Sequence, residues 1–171
     1  MLESEFILIV GPMCSKKSGF IIENYADKDI ECFKPDVDTR DGAVIKSRAY
    51  KRTIPCTMVS SLRKVQPTKP IVILDEMQFF NAEELKDFVM KCKAEHRQLV
   101  AVGLDRLANK NEWGTYTAVK ELCDVEIKLK AKCDICKQPA GYTALISGNK
   151  QKAIQIEGEA TYSPRCFFHM E

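Results

Sequence analysis

The residues best suited to chemistry begin at Phe6–Ser18, FILIVGPMCSKKS. Phe6 to Val10 is an unbroken apolar, largely β-branched run, the pattern of a strand buried on both faces. Gly11 ends it, and Lys17-Ser18 follow at the spacing of a phosphate-binding loop, G-x-x-x-x-G-K-[S/T]. Gly11, Pro12, Met13, Ser15 and Lys16 would wrap backbone around phosphate, and the next helix would aim its positive dipole end at the same charge. Lys17 would neutralise phosphate and Ser18 would ligate Mg²⁺. The second glycine of the pattern is replaced by Lys16, whose Cβ resists the turn that glycine makes freely.

A second acidic feature completes such a site. Ile71–Leu74, IVIL, is strongly apolar, and Asp75-Glu76 follows at once. A carboxylate at the carboxyl end of a strand, downstream of a phosphate loop, is placed to hold Mg²⁺. A third group is metal-binding in character. Cys133-x-x-Cys136 precedes Cys166-x-x-His169 by about thirty residues, the ligand spacing of a zinc ribbon. Three thiolates and one imidazole satisfy tetrahedral Zn²⁺ and leave no open position, so the site would be structural. The other histidine, His96, ends a charged helix and is read as solvated.

Strands and helices alternate around these groups. The sequence predicts a helix over Lys17 to about Ala26, a strand over Ile30–Phe33 and a flexible loop over Gly42–Thr53. A short strand follows over Cys56–Val59 and a helical turn over Ser60–Val65. Asn81–Glu95 is the strongest helix, with Asn81 as N-cap, Glu83 and Glu84 in the first turn, and Leu85, Phe88, Val89 and Cys92 at helical spacing. A buried strand over Gln98–Val102 ends at Gly103-Leu104-Asp105, a helix covers Thr115–Cys123, and a strand covers Val125–Leu129. Alternation of this kind predicts an α/β fold with a mostly parallel, phosphate-loop-type sheet flanked by helices. The expected division is 1–128 for the nucleotide-binding part and 129–171 for a small zinc-ribbon part, stabilised by its metal because it is too short for its own core.

Composition sets outer limits. The 171 residues are 45% hydrophobic, enough for a sizeable core. A net charge of +2 is too small to argue for nucleic acid or membrane surfaces as partners, and Lys46–Arg52 reads as a solvated loop in preference to a basic patch. No signal-like or membrane-spanning run is present, which points to the cytoplasm. Cys14, Cys32, Cys56, Cys92 and Cys123 are scattered singly, as small buried residues would be.

Taken together, these motifs resemble the thymidine kinases, built on a phosphate-loop α/β domain plus a zinc-binding lasso. GPMCSKKS is similar to the family's G-P-M-[F/Y]-S-G-K-[S/T]. Phe33-Lys34-Pro35 and Asp38-Thr39-Arg40 match its segment around D-x-R. Asp75–Phe80, DEMQFF, resembles D-E-x-Q-F-F, and Gly103-Leu104-Asp105 matches G-L-D. Cys133-x-x-Cys136 and Tyr162-Ser163-Pro164-Arg165-Cys166-x-x-His169 match its zinc segments. The resemblance implies ATP and Mg²⁺ as cofactors beside structural Zn²⁺, with Gln78 also in the nucleotide site. Glu76 becomes the base for a nucleoside 5′-hydroxyl, and Arg40 stabilises the transferring phosphoryl. Phe79, Tyr162 and Thr143 fall at the nucleoside. The partner is a small-molecule nucleoside or nucleotide, and the family's tendency to form tetramers implies a homo-oligomer.

The departures from the family pattern cluster at the loop and the base pocket. Besides Lys16, Ala108 stands where an aromatic residue is expected, Glu112 stands at a proline and Trp113 at a second phenylalanine. Leu145 replaces the arginine of T-x-R, and the loop glycines before Tyr162 are thinned to Gly158. Two readings follow: a deoxynucleoside kinase with thymidine as leading acceptor, or a related binding protein that holds a nucleotide or partner and transfers nothing. A zinc-ribbon nucleic-acid binder is disfavoured, because basic and aromatic residues are not interleaved in the sequence.

Overall fold

The computed structural model describes residues 5–47, 49–152, 154–155 and 160–170; Gly158 lies outside them. The elements run β1 (Phe6–Val10), α1 (Lys17–Tyr25), β2 (Ile30–Pro35), β3 (Val44–Lys46), β4 (Thr53–Pro55), β5 (Thr57–Val59), β6 (Ile71–Leu74), α2 (Ala82–Ala94), β7 (Gln98–Gly103), α3 (Gly114–Val119), β8 (Val125–Lys128), β9 (Ala131–Lys132), β10 (Pro139–Ala140), β11 (Tyr142–Ser147) and β12 (Thr161–Arg165). Six strands form one sheet in the order β5-β2-β6-β7-β1-β8, and every neighbouring pair is parallel. The fold is α/β, as the alternating pattern predicts.

Alternation of side chains along the strands builds two cores. Phe6, Leu8 and Val10 of β1 join Val72, Leu74, Leu99 and Ala101 under α2 and α3. Ile7 and Ile9 point the other way, with Ile73, Val100 and Val102, against Ile21, Ile22 and Tyr25 of α1. Helices thus cover both faces, which explains why the central strands read as continuous apolar runs. Asn81 caps α2 as predicted: its side-chain oxygen accepts from the amides of Glu83 and Glu84 at 3.0 and 3.1 Å.

The region read as a flexible loop, Gly42–Thr53, is corrected by the structure. It contains most of a hairpin, with β3 and β4 antiparallel and Ile45 opposite Ile54. Each of these strands carries one buried isoleucine, Ile45 at 1% exposure and Ile54 at 3%. One buried residue per three-residue strand produces no period in the sequence, so the pairing shows only where both side chains join the core cluster that includes Ile21 and Ile22 of α1. The helix expected over Thr115–Cys123 is shorter, because α3 tightens into a 3₁₀ turn at Lys120–Leu122. His96 is exposed at the end of α2, as expected.

Beyond β8 the chain forms two small antiparallel pairs, β9 with β10 and β11 with β12. Their buried cluster is Ala131, Cys133, Ala140 and Cys166 with Cys136 against it, almost all of it small residues or metal-type ligands.

Candidate functional site

The site is assembled at the carboxyl ends of β1, β2, β6 and β7, where a parallel sheet opens its crevice. The loop after β1 turns through left-handed backbone at two non-glycine residues, Cys14 (φ 63°) and Lys16 (φ 64°). The phosphate-loop path is therefore kept, and each L-residue held there costs about 1 kcal/mol or more. Lys16 is exposed, with its side chain away from the buried loop interior, and it is the N-cap of α1. Gly11 is required: a Cβ there would collide with the carbonyl oxygen of Leu129 and the hydroxyl of Ser15. Ser15 is buried, and Pro12 is buried beside it.

Lys17 curls back into the loop. Its Nζ donates to the carbonyls of Gly11 and Pro12 at 2.9 and 2.8 Å and to Ser15 Oγ at 3.3 Å. Burial lowers its pKa below the ordinary lysine value, opposed by the charges of Glu76, Asp75 and Asp105. Ser18 sits half-buried in the first turn of α1.

The acidic half of the site follows β6. Asp75 is buried, and its amide donates to the carbonyl of Phe33 in β2. Burial, reinforced by the adjacent Glu76 charge, pushes its carboxyl up to about 7. Lys34 Nζ lies 3.8 Å from Asp75 Oδ2 and 3.0 Å from Asp38 Oδ2. Asp38 also accepts from Arg40 Nε at 2.8 Å, and Arg40 Nη2 reaches Glu76 Oε1 at 3.0 Å. Glu76 occupies the left-handed region (φ 52°) and accepts from Gln78 Nε2. Gln78 is buried, and its carbonyl oxygen accepts from the amide of Leu104 at 3.1 Å. One chain of contacts therefore runs Lys34–Asp38–Arg40–Glu76–Gln78 to the end of β7. Lys34, Asp38 and the buried Asp105 carry no role in the reading of individual residues. Their sequence signal is the match of their segments to the family motifs, which marks the positions without assigning them a role.

The residues expected at a nucleoside divide. Phe79 is half-buried and meets Trp113 edge-on, with ring centroids 5.8 Å apart. Trp113 is itself buried and donates its indole N–H to the carbonyl of Arg106 at 3.1 Å. Tyr162 is half-buried and its hydroxyl donates to the carbonyl of Gln155 at 3.2 Å. Leu145 pairs with Tyr162 across β11 and β12. Thr143 is buried, and its Oγ1 accepts from the amide of Met13 at 3.0 Å. That bond ties β11 to the phosphate loop. Ala108 adds no ring to this wall.

The Cys/His set comes together as its spacing predicts. The ligand atoms of Cys133, Cys136, Cys166 and His169 all lie within 4.8 Å of one another. His169 Nδ1 is 3.6 Å from Cys133 Sγ and 3.2 Å from Cys166 Sγ, and Cys136 and Cys166 are 3.7 Å apart. A zinc–thiolate tetrahedron has edges of about 3.8 Å, so this donor set fits Zn²⁺. Burial would raise the Cys133 thiol, but it is outweighed. The amides of Cys136, Cys166 and Ile135 and the His169 ring hold it below the ordinary thiol value.

The purified chain should carry about one Zn²⁺. Cys133→Ser should loosen the segment after β8, since metal-binding energy there is folding energy. Metal analysis and limited proteolysis check this, and a folded, freshly purified chain free of zinc would contradict it.

Comparison with known proteins agrees with this geometry. The thymidine kinase family model matches residues 4–170. A thymidine kinase from rice, Oryza sativa subsp. japonica, is 29% identical over 184 aligned positions, covering 96% of this chain. The chain spans 65% of the length of that relative. The family match extends over every residue that the structure describes, and the chain belongs to the thymidine kinase family.

Proposed function

We propose that the protein is an ATP- and Mg²⁺-dependent deoxynucleoside kinase, transferring the γ-phosphoryl group of ATP to a 5′-hydroxyl, with thymidine as the leading acceptor. The observation that carries this reading is the pairing of Arg40 with Glu76 at 3.0 Å, beside buried Asp75 at the mouth of the phosphate loop. Glu76 takes the proton of the acceptor hydroxyl as its oxygen forms the new bond to phosphorus and ADP leaves. Arg40 reaches over Glu76 and meets charge developing on the transferred group. Lys17 exchanges its loop carbonyls for phosphate oxygens, and the amides of the loop and the start of α1 hold the rest. Ser18 and Asp75 would hold Mg²⁺, which neutralises phosphate charge and orients the triphosphate when bound. Gln78 orients Glu76 through its hydrogen bond. Phe79, with Trp113 behind it, forms an aromatic wall for the base, and Tyr162 and Thr143 close the nucleoside side.

In this reading 1–128 forms the nucleotide-binding part and 129–171 the zinc-stabilised lasso. A homo-oligomer and a cytoplasmic location belong to the same reading and rest on family membership. No described helix is long and apolar enough to cross a membrane. The second reading, a binding protein without transfer, is favoured by Lys16, Ala108 and Leu145, which remove a loop glycine, a ring and a cation. The surviving Lys17, Asp75, Glu76 and Arg40 favour the kinase.

Two measurements separate the readings. With γ-labelled ATP and a panel of nucleosides, label should pass to a deoxynucleoside, and Glu76→Gln should lower the rate at least about a hundredfold while ATP binding persists. Near-normal turnover in Glu76→Gln would remove Glu76 from the mechanism, and no transfer by the natural chain to any acceptor would leave the binding reading. Calorimetry at fixed Mg²⁺ should show that Lys16→Gly binds ATP more tightly than the natural chain, because glycine adopts the φ of 64° without strain. Weaker binding by Lys16→Gly would make Lys16 a phosphate ligand instead.

A further inference from the structure

Cys32 and Cys56 are scattered in the sequence and have no place in the chemistry above, yet the fold brings their sulfurs to 2.7 Å. Cys32 lies in β2, opposite Ile73 of β6, and is 3% exposed. Cys56 sits between β4 and β5, half-buried, with its amide donating to the carbonyl of Ala43. Both are free thiols. The other close cysteine contacts among the described residues fall within the Cys133, Cys136 and Cys166 cluster. Cys14 is exposed on the phosphate loop, and Cys92 is buried in the core under α2. A sulfur–sulfur bond is about 2.05 Å long, so the two side chains need to close by less than about 1 Å.

We propose that Cys32 and Cys56 form a modification site: a reversible intrachain disulfide made by exchange with a low-molecular-weight disulfide. The half-buried Cys56, as thiolate, attacks one sulfur of the small disulfide and releases its first thiol. Cys32 then loses its proton and attacks the Cys56 sulfur of the mixed disulfide, expelling the second thiol. Two protein thiols are oxidised by two electrons, the small disulfide is reduced to two thiols, and the two protons go to those thiols. Burial and the neighbouring Cys56 hold the Cys32 thiol well above its ordinary pKa, which assigns the first attack to Cys56.

The position gives the bond a consequence. The chain between the two cysteines contains the β3–β4 hairpin and the segment of Lys34, Asp38 and Arg40. Three-residue β5 at the sheet edge is joined to β2 over Phe33–Pro35. A bond from Cys32 to Cys56 fastens the hairpin and this edge strand to the sheet, and fixes both ends of the segment that presents Arg40 to Glu76. In a reducing compartment the thiols rest reduced and the bond reports oxidation. Neither exchange step involves ATP or an acceptor hydroxyl.

The test is a peptide map of the zinc-loaded full chain after treatment with glutathione disulfide, alkylation of the remaining thiols and digestion with trypsin. Cys32 falls in Asp29–Arg40, since the Lys34-Pro35 bond resists cleavage, and Cys56 falls in Thr53–Arg63. The expected product is these two peptides linked with loss of two hydrogens, abolished by dithiothreitol, with zinc content unchanged. The melting midpoint should rise on oxidation in the natural chain and stay level in Cys56→Ser. Recovery of the two peptides separately alkylated, of Cys56 only as its glutathione adduct, or of either cysteine linked to Cys133, Cys136 or Cys166 would overturn the proposal.

Discussion

A buried ammonium between two buried carboxylates sets the terms for the rest of this structure. Lys34, Asp38 and Asp75 have side chains 3%, 3% and 9% exposed, and each would be costly to bury alone. Burial works against the charge on Lys34, but its hydrogen bond to Asp38 and the charges of Asp75, Asp38 and Glu76 outweigh that and raise its pKa. Asp38 is held below the usual carboxylate range, because Arg40 and Lys34 overcome its burial. Asp75 has the poorer share, at 3.8 Å from the ammonium, and burial dominates there. The arrangement requires β2 and β6 to be adjacent and parallel, so that both strand ends open on one side. It then fixes where the chain after β2 leaves the sheet, and hence where Arg40 meets Glu76.

The C-terminal segment is tied to this frame at a different point. Thr143 Oγ1 accepts from the amide of Met13, so β11 borders the phosphate loop directly. β11 is held by β12, and β12 leads into Cys166 and His169. Asp134, beside the first ligand, donates its amide to the carbonyl of Pro164 in β12. The path from the Cys/His cluster to the loop is thus short, backbone pairing completed by one side-chain hydrogen bond. With so few apolar residues around the ligands, a metal bound there would supply that path's rigidity.

The sheet was legible in the sequence because its central strands are buried on both faces, and FILIV and IVIL report that directly. The Asn81 cap was legible from residue type and spacing alone. The Cys/His cluster was legible because two-residue spacing within each pair is a local property that survives any folding of the chain between. The hairpin at Ile45 and Ile54 was hidden because its two buried isoleucines pack into a cluster built from strands and a helix elsewhere in the sequence. The role of Lys34 was hidden for the same kind of reason: a lysine following Phe33 looks like the end of a strand until Asp38 and Asp75 close around it. Trp113 shows the reverse case. Position alone set it in place of a phenylalanine, while its edge-on contact with Phe79 and its indole bond to Arg106 belong to the three-dimensional arrangement.

Lys34 and Asp38 act as one buried unit. A double-mutant cycle on Lys34→Met and Asp38→Asn, read as unfolding free energy by chemical denaturation at fixed free zinc, measures that coupling. Lys34→Met leaves Asp38 its contact with Arg40 and Asp38→Asn leaves Lys34 its contact with Asp75, so each single substitution should cost about 1–3 kcal/mol. The double variant should cost less than the sum by about 1 kcal/mol or more. Costs that add to within about 0.5 kcal/mol would show that the two side chains are independent and would contradict the account.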